Sequence, residues 1–506
     1  MDARGMERMD LTGKEIAEAC GGRLFPGENT DSDRCVTSVV IDSRLVEEGS
    51  VFLATVGERV DGHRFISQVF EKGAALAVTQ KTPEQVQQET GVDCSGWGCY
   101  LLVEDTLQAL RDIAAAYRKK TGIPVVGITG SVGKTSTKEF VAGVLSEKYR
   151  VLKTEGNFNN EIGVPLTLLR IRPEHELAVV EMGISDFGEM HRLSRMAQPD
   201  ICVITNIGQC HLENLKSRDG ILKAKSEIFD YMAPDGEICF NGEDDKLRTV
   251  TCVKGHKPHF FGLGGSSGQE VSAGQIQSRG LWGSDAVLTF DGEGDGSGPR
   301  QLKVHVPLPG EHMVLNAAAA ACVGRLLGLT EDEIASGIER VRAVSGRSNL
   351  LRLERYTVID DCYNANPVSM RAAIDLLSLA DTEKVAVLGD MFELGEHSDA
   401  LHADVGEYAA RKGIDRILCV GEQAAHLFKA ASDHAEDTRQ IAHFPTRDAL
   451  LSVLAEKRQE YIPDGCTVLL KASHGMEFGK VLEYLKEQGG SEAARHNSSL
   501  LDTHIL

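Results

Sequence analysis

What the chain lacks narrows its class before any motif is read. No Cys-x-x-Cys pair occurs among its twelve cysteines, so the commonest zinc and dithiol spacings are absent. Cys202 in "ICVIT", Cys239 in "EICFN" and Cys419 in "RILCVG" sit inside apolar, strand-like runs. There a reduced thiol behaves as a small buried hydrophobe. Basic excess is missing too: 54 Lys and Arg face 75 Asp and Glu, a net charge of −21. An acidic surface suits neither nucleic acid nor anionic membranes, and neither is expected as a partner. Residues 1–19, "MDARGMERMDLTGKEIAEA", hold no apolar core of signal-peptide length. The longest small-apolar run, "AAAAACV" at 317–323, is too short to cross a bilayer. No internal repeat is present. A cytoplasmic protein, working as a monomer, is the expectation.

What is there is ample core and a segmented pattern. With 506 residues and 42% hydrophobic content, the chain has room for about three domains of roughly 150 residues. An α/β protein is expected, with domains at 1–120, 121–344 and 345–489 and a disordered tail at 490–506. The first region carries short strand-like stretches, "CVTSVVIDSR", "GSVFLATVG" and "ALAVTQ", before the helical "TLQALRDIAAAYRKKTG". In the second, "IPVVGIT", "ELAVVEMG" and "ICVITNIG" read as buried parallel strands. Two Gly/Ser-rich stretches, "FGLGGSSGQEVSAGQ" and "FDGEGDGSGPR", flank "GLWGSDAVLTF" and read as hairpin loops around exposed strands. The alanine-rich helix after Pro309-Gly310 is expected to close this domain. The third region, with "YTVIDDC", "KVAVLGD", "RILCVG" and "TVLLKAS", repeats the strand–helix alternation as a Rossmann-like α/β unit.

One loop carries chemistry. "GITGSVGKTSTKE" (127–139) lacks the first glycine of the strict phosphate-loop pattern, because Ile128 stands five residues before Gly133. A phosphate site nevertheless needs only backbone N–H groups converging at a helix N-terminus, plus a cation. "IPVVGIT" supplies a strand, and Phe140 with Val144 and Val141 with Leu145 mark an amphipathic helix. Gly130, Ser131, Val132 and Gly133 then form the turn. Lys134 reaches the β- and γ-phosphates, and Thr135, beside Ser136, offers a hydroxyl to Mg²⁺. Further ligands should sit at neighbouring strand ends. Glu181 ends "ELAVVEMG" and His211 follows "ICVITNIG". A solvated strand-end Glu and an unliganded His are the bland alternatives.

The frame Thr-Gly-x-x-Gly-Lys-Thr (129–135) resembles the nucleotide loop of the Mur ligase superfamily, whose members form amide bonds with ATP. "GNFNNEIGVPLTLL", "EMGISDFGEM", "HLENLKSRDGILKAKSEIF", "PGEHMVLNAAAA" and "DDCYNANPVSM" are similar to further blocks of that superfamily. "DDCYNANP" with "LGDMFELGEHS" resembles the branch that adds D-alanyl-D-alanine to UDP-N-acetylmuramoyl-tripeptide. The amino-terminal "DSRLVEEGSVFLATVGERVDGHRFI" is similar to the uridine-nucleotide domain of cell-wall ligases. The resemblance implies ATP and Mg²⁺ as cofactors, with an acyl-phosphate intermediate. It implies catalytic roles for Lys134, His211 and Lys225. Thr135 and Glu181 would share one Mg²⁺, with His211 at a second. Lys225 aligns with a lysine that several members carbamylate, whereas its residue type alone reads as a surface helix lysine.

By the same resemblance, Asn159 and Asn160 lie near metal and substrate carboxylate, and His312 and Asn316 take adenine. Arg347 reaches the nucleotide phosphates and Asp361 meets the nucleotide. Asn364 and Asn366 lie nearer the incoming amine, and Ser43 and Arg44 contact the uridine diphosphate, with Asp61, Gly62 and His63 near by. "LLKASHGMEF" departs from the family run, with Ala472 for glycine and His474 for arginine. Histidine is neither reliably charged nor bidentate, so no carboxylate clamp is expected there. The alternative readings are another amide ligase of the superfamily, either the ligase adding the third residue or a folylpolyglutamate synthase, and a phosphate-loop ATPase without ligase chemistry.

Overall fold

Runs of β-branched and aliphatic residues, bounded by turns, build three separate sheets. The computed structural model describes residues 9–27, 33–57, 60–208, 210–264, 268–291, 298–343, 346, 348–435 and 440–490. Arg347 and the expected tail beyond residue 490 lie outside the described residues. The chain divides into two compact units, broadly residues up to 340 and residues from 341 on, with Gln277–Asp285 and Val306–Met313 belonging to the second.

The first sheet holds β1 (Arg23–Phe25), β2 (Val39–Val40), β3 (Val51–Leu53), β4 (Leu76–Thr79) and β5 (Tyr100–Leu102), in the order β1-β5-β4-β3-β2. Only β1 runs antiparallel to its neighbour. The helix Thr106–Thr121 follows, capped by Asp105, whose carboxylate accepts from the N–H groups of Leu107 and Gln108. Its buried face, with Leu110, Ile113 and Tyr117, recurs at helical spacing. The Tyr117 hydroxyl donates to the Ile171 carbonyl at 2.7 Å. Arg118 pairs with Asp200 at 2.9 Å, and the same Asp200 carboxylate accepts from Val125 N–H at 2.7 Å. Both contacts fasten this helix to the start of the next sheet.

The second sheet begins with β6 (Val125–Thr129), β7 (Val151–Lys153), β8 (Leu177–Glu181) and β9 (Ile201–Ile204), continuing through β10 (Glu237–Asn241) and β11 (His259–Leu263). It ends with β12 (Val271–Ser278), β13 (Ser284–Phe290) and β14 (Arg300–Val306), and its order is β14-β13-β12-β11-β10-β9-β6-β8-β7. Strands β6, β8 and β9 are buried along their whole length, as unbroken apolar runs require when both faces are covered. Strand β6 lies between β8 and β9, with Ile128 opposite Glu181 and Thr129 opposite Ile204. The carboxyl ends of three neighbouring strands therefore share one edge, where α/β sheets bind ligands.

Two expectations for this region are corrected. "FGLGGSSGQ" does not turn a hairpin, because β11 and β12 pair in parallel, with Phe261 opposite Val271. Nor is "GLWGSDAVLTF" an exposed strand, since five of the seven residues of β13 are buried. Residues 292–297 of the second glycine-rich stretch lie outside the described residues. The domain also extends past the alanine-rich helix (Glu311–Leu326) to a further helix, Glu331–Glu339. Gly337 of that helix packs so closely that a Cβ there would lie 2.4 Å from the Val144 Cα.

The third sheet comprises β15 (Asn349–Arg352), β16 (Thr357–Asp360), β17 (Lys384–Gly389), β18 (Arg416–Val420), β19 (Ile441–Phe444) and β20 (Thr467–Lys471). Its order is β15-β16-β20-β17-β18-β19, parallel apart from the edge strand β15. Two apolar clusters, one around Ile374 and Leu377 and one around Leu450 and Phe478, make up its core.

At the amino ends of β10 and β11, His259 is held between Glu270 (Nδ1–Oε2, 2.5 Å) and Glu237 (Nε2–Oε2, 2.8 Å). The Glu270 hydrogen bond above all, opposed by burial, raises the imidazole to about 9. A folded pKa above the unfolded one gives stability that is complete below about pH 6.5 and is lost as pH rises through about 9. His259→Ala should therefore destabilise the protein by about 1 kcal/mol at pH 6 and much less at pH 10. Thermal melts of wild type and variant at the two pH values check this.

Candidate active site

The loop after β6 departs from ordinary backbone at two glycines. Gly130 has φ +153°, and a Cβ there would lie 1.9 Å from Thr205 Oγ1, so no larger residue fits. Gly133, at φ +82°, is the N-cap of the helix Lys134–Leu145, so the amino end of that helix opens directly on the loop. The partner that shapes the loop comes from the end of β9. Asn206 Oδ1 accepts from Ser131 N–H at 3.1 Å and Val132 N–H at 2.9 Å, and its Nδ2 donates to Val132 O at 2.9 Å. Thr205 Oγ1 donates to the same carbonyl at 2.7 Å. Neither residue was marked by the sequence pattern. The only signal was position, directly after a buried strand.

Two ammonium groups meet on one oxygen. Lys134 Nζ donates to the Gly130 carbonyl at 2.9 Å and Lys225 Nζ to the same oxygen at 3.0 Å. Lys225 lies on the helix Arg218–Ser226 and is 1% exposed, not the surface lysine its residue type suggests. Burial first, and the nearby Lys134 charge second, lower it to about 7.

Beside the loop, Thr135 Oγ1 donates to Glu181 Oε2 at 2.8 Å, and Asn159 Nδ2 donates to Glu181 Oε1 at 2.8 Å. A buried carboxylate joined to a hydroxyl is a hard-oxygen pair that fits Mg²⁺. His211 is exposed, at φ +50°, and opens the short helix Leu212–Leu215. Among the described residues, no group of three or more His, Cys, Asp or Glu gathers around one point. Any ion here would draw its remaining ligands from hydroxyls, modified side chains, water or the nucleotide. Asn160 Oδ1 accepts from Ile162 and Gly163 N–H groups and so starts the next helix. Ser136 continues the first turn after Thr135. On the helix Glu311–Leu326, His312 is exposed, while buried Asn316 accepts from Thr137 Oγ1 at 3.0 Å.

Elsewhere the residues expected at a site divide by what they hold. Arg44 is exposed and forks onto Asp42, holding that carboxyl down to about 2. Ser43 opens the same short 3₁₀ turn. Asp61 caps the turn Gly62–Phe65 and pairs with Lys81 at 2.9 Å. His63 is 1% exposed, and both ring nitrogens are engaged, Nδ1 by Asp61 and Nε2 by Gln80 N–H. It braces the turn and has no ring nitrogen free for a ligand. In the second unit, Asp361 accepts from Ser348 N–H and pairs with buried Lys471 at 2.7 Å. Lys471 also donates to the Asn364 carbonyl at 3.0 Å. Asn366 is a helix cap, accepting from Ser369 N–H. The His474 ring lies against Tyr363, with centroids 5.7 Å apart.

A strand–glycine-loop–helix unit with a lysine, a hydroxyl and a buried carboxylate defines a nucleotide-binding α/β enzyme. Family models match three successive stretches: Mur ligase family, catalytic domain, at 36–126; Mur ligase middle domain at 128–324; and Mur ligase, glutamate ligase domain, at 346–474. The UDP-N-acetylmuramoyl-tripeptide–D-alanyl-D-alanine ligase of Bacillus subtilis is 35% identical over 479 residues, covering 94% of this chain and 98% of that protein. A crystal structure of MurF from Acinetobacter baumannii superposes with a TM-score of 0.80 at 32% identity, covering 94% of this chain and 99% of the other. MurF ligase from Thermotoga maritima, in complex with ADP, gives 0.72 at 28% identity, covering 89% and 97%. The chain belongs to the Mur ligase family.

The Asn206 contacts generate a test. Asn206→Ala removes the side-chain bonds to Ser131 N–H, Val132 N–H and Val132 O, leaving the residue's own carbonyl on Ser131 N–H and Thr205 Oγ1 on Val132 O, so the loop loses part of what preforms it. The KM for ATP should rise about tenfold or more, with little change in melting temperature. Initial-rate kinetics over an ATP series measure it.

Proposed function

We propose that this chain is an ATP-dependent ligase joining D-alanyl-D-alanine to UDP-N-acetylmuramoyl-tripeptide, with release of ADP and phosphate. Similarity along nearly the whole chain to ligases of that activity supports the reading. The observation that carries it is the shared edge of β8, β6 and β9, where Lys134, Lys225, Thr135 and Glu181 converge. The reading implies work in the cytoplasm, where ATP and UDP-linked precursors occur, and action as a monomer.

A carboxylate is a poor electrophile until it is activated. The tripeptide's terminal carboxylate oxygen attacks the γ-phosphorus, giving an acyl phosphate and ADP. The D-Ala-D-Ala amine then adds to the acyl carbon, and the tetrahedral intermediate expels phosphate. Most of the protein's contribution is placement and charge. Lys134 offers a fixed cation to the transferred phosphoryl group. Thr135 and Glu181 would hold one Mg²⁺ and His211 would help hold a second, and these ions would supply charge neutralisation between the carboxylate and triphosphate. Asn159 fixes the Glu181 carboxylate, and Asn159 and Asn160 lie near the metal and the substrate carboxylate. Asn316, with His312, takes adenine. Arg347 and Asp361 contact the nucleotide. Ser43 and Arg44 receive the uridine diphosphate, while Asn364 and Asn366 line the approach of the amine.

Lys225 is set up for modification. At about 7 its amine is substantially neutral at physiological pH, and only the neutral amine adds to CO₂. The product is a carbamate and one proton, turning a cation into an anionic oxygen ligand. Carbamylation would thus relieve the repulsion between Lys225 and Lys134 while supplying a metal ligand.

Two measurements test the reading. Tripeptide labelled with ¹⁸O in its terminal carboxylate should deliver one label into released phosphate, and label-free phosphate would exclude an acyl phosphate. Lys134→Ala should lower ADP formation at least ~100-fold. For Lys225, ¹³C-bicarbonate should give a carbamate NMR signal that grows as pH rises through about 7. Lys225→Ala should abolish that signal.

A further inference from the structure

Four residues beyond Lys134, on the same helix, Lys138 is 1% exposed. Burying an ammonium costs enough that partners must fix it, and an apolar residue of similar length would fill the space more cheaply. Its Nζ donates to the Thr154 carbonyl at 2.7 Å and pairs with Glu139 Oε1 at 2.9 Å. Glu139 in turn pairs with Lys153. The reaction described above uses none of these groups.

Thr154 explains why the anchor is there. It follows β7 directly and is fully buried, and its N–H donates to Val179 O in β8 at 3.0 Å. Its hydroxyl accepts from the N–H of Glu181 at 3.0 Å. From Thr154 the chain leaves the sheet and returns at Asn159, whose amide donates to Glu181 Oε1 and whose carbonyl accepts from Gly183 N–H. Glu181 is therefore held at its backbone by Thr154 and at its side chain by the loop that Thr154 launches. The other carboxylate oxygen accepts from Thr135, three residues before Lys138. One helix thus grips Glu181 twice, directly through Thr135 and indirectly through Lys138 and Thr154.

We propose that Lys138 is a positioning residue that fixes the Glu181 carboxylate against Thr135 and so sets the affinity of the nucleotide site for a divalent cation. The inference rests on the reading of this site as one for a nucleotide and its metal. A role confined to holding the helix onto β7 would lower stability and leave cation affinity unchanged.

Full-length wild type, Lys138→Met, Lys138→Arg and Thr154→Val are titrated with Mn²⁺ in the presence of ADP, followed by electron paramagnetic resonance. Thr154→Val keeps the carbonyl that Lys138 uses and removes only the hydroxyl facing Glu181, so it decides the matter should Lys138→Met not fold. Circular dichroism melts establish which variants are folded. Expected are a loss of Mn²⁺ affinity of about tenfold or more in Lys138→Met and Thr154→Val, partial recovery in Lys138→Arg, and metal-free ADP affinity unchanged. A folded Lys138→Met or Thr154→Val that loses less than about tenfold in Mn²⁺ affinity would overturn the proposal, whatever its turnover. Wild type that takes up no Mn²⁺ with ADP would instead overturn the nucleotide-site reading on which it rests.

Discussion

The carbonyl oxygen of Gly130 receives two ammonium groups, Lys134 at 2.9 Å and Lys225 at 3.0 Å, and the rest of the site is arranged around that crowding. Two like charges in a buried place cannot both persist at no cost. Lys225, the more enclosed, gives way and falls to about 7. The oxygen can serve both only because Gly130 brings the backbone against Thr205, where a side chain would collide.

That constraint propagates through the sheet. Strand β6 lies between β8 and β9, so whatever ends those strands stands beside the loop. From β9 come Thr205 and Asn206, which shape the loop from below. From β8 comes Glu181, joined to the loop helix through Thr135. Chemistry accumulates at one edge because β6, β8 and β9 all run the same way. The first-sheet helix supports the opposite end of β6 through Arg118 and Asp200.

Much of this was legible in the sequence. Unbroken apolar runs marked β6, β8 and β9, and their ends marked where Gly130, Glu181 and the segment before His211 would emerge. Ile128 in place of the usual glycine cost the loop nothing, because it lies inside β6, paired with Glu181 and fully buried. What stayed hidden were contacts between distant positions. Asn206 holds residues 74 and 75 positions away, and no periodicity announces that. No local pattern marked Lys138, yet it is buried with its Nζ on the Thr154 carbonyl. His63, expected near the uridine diphosphate, has its ring nitrogens on Asp61 and on Gln80 N–H, partners that no local pattern announces. The glycine-rich link from β11 to β12 carried a turn signal, but turn residues alone cannot separate a hairpin from a short parallel connection.

The central claim is that phosphoryl transfer here is coupled to amide formation. Phosphate release should be measured with ATP, Mg²⁺ and UDP-N-acetylmuramoyl-tripeptide, with and without D-alanyl-D-alanine, using tripeptides that carry lysine or a diamino acid at the third position. The account predicts sustained release with at least one tripeptide, and only when the dipeptide is present. Release independent of the dipeptide, or none with any tripeptide, would contradict it.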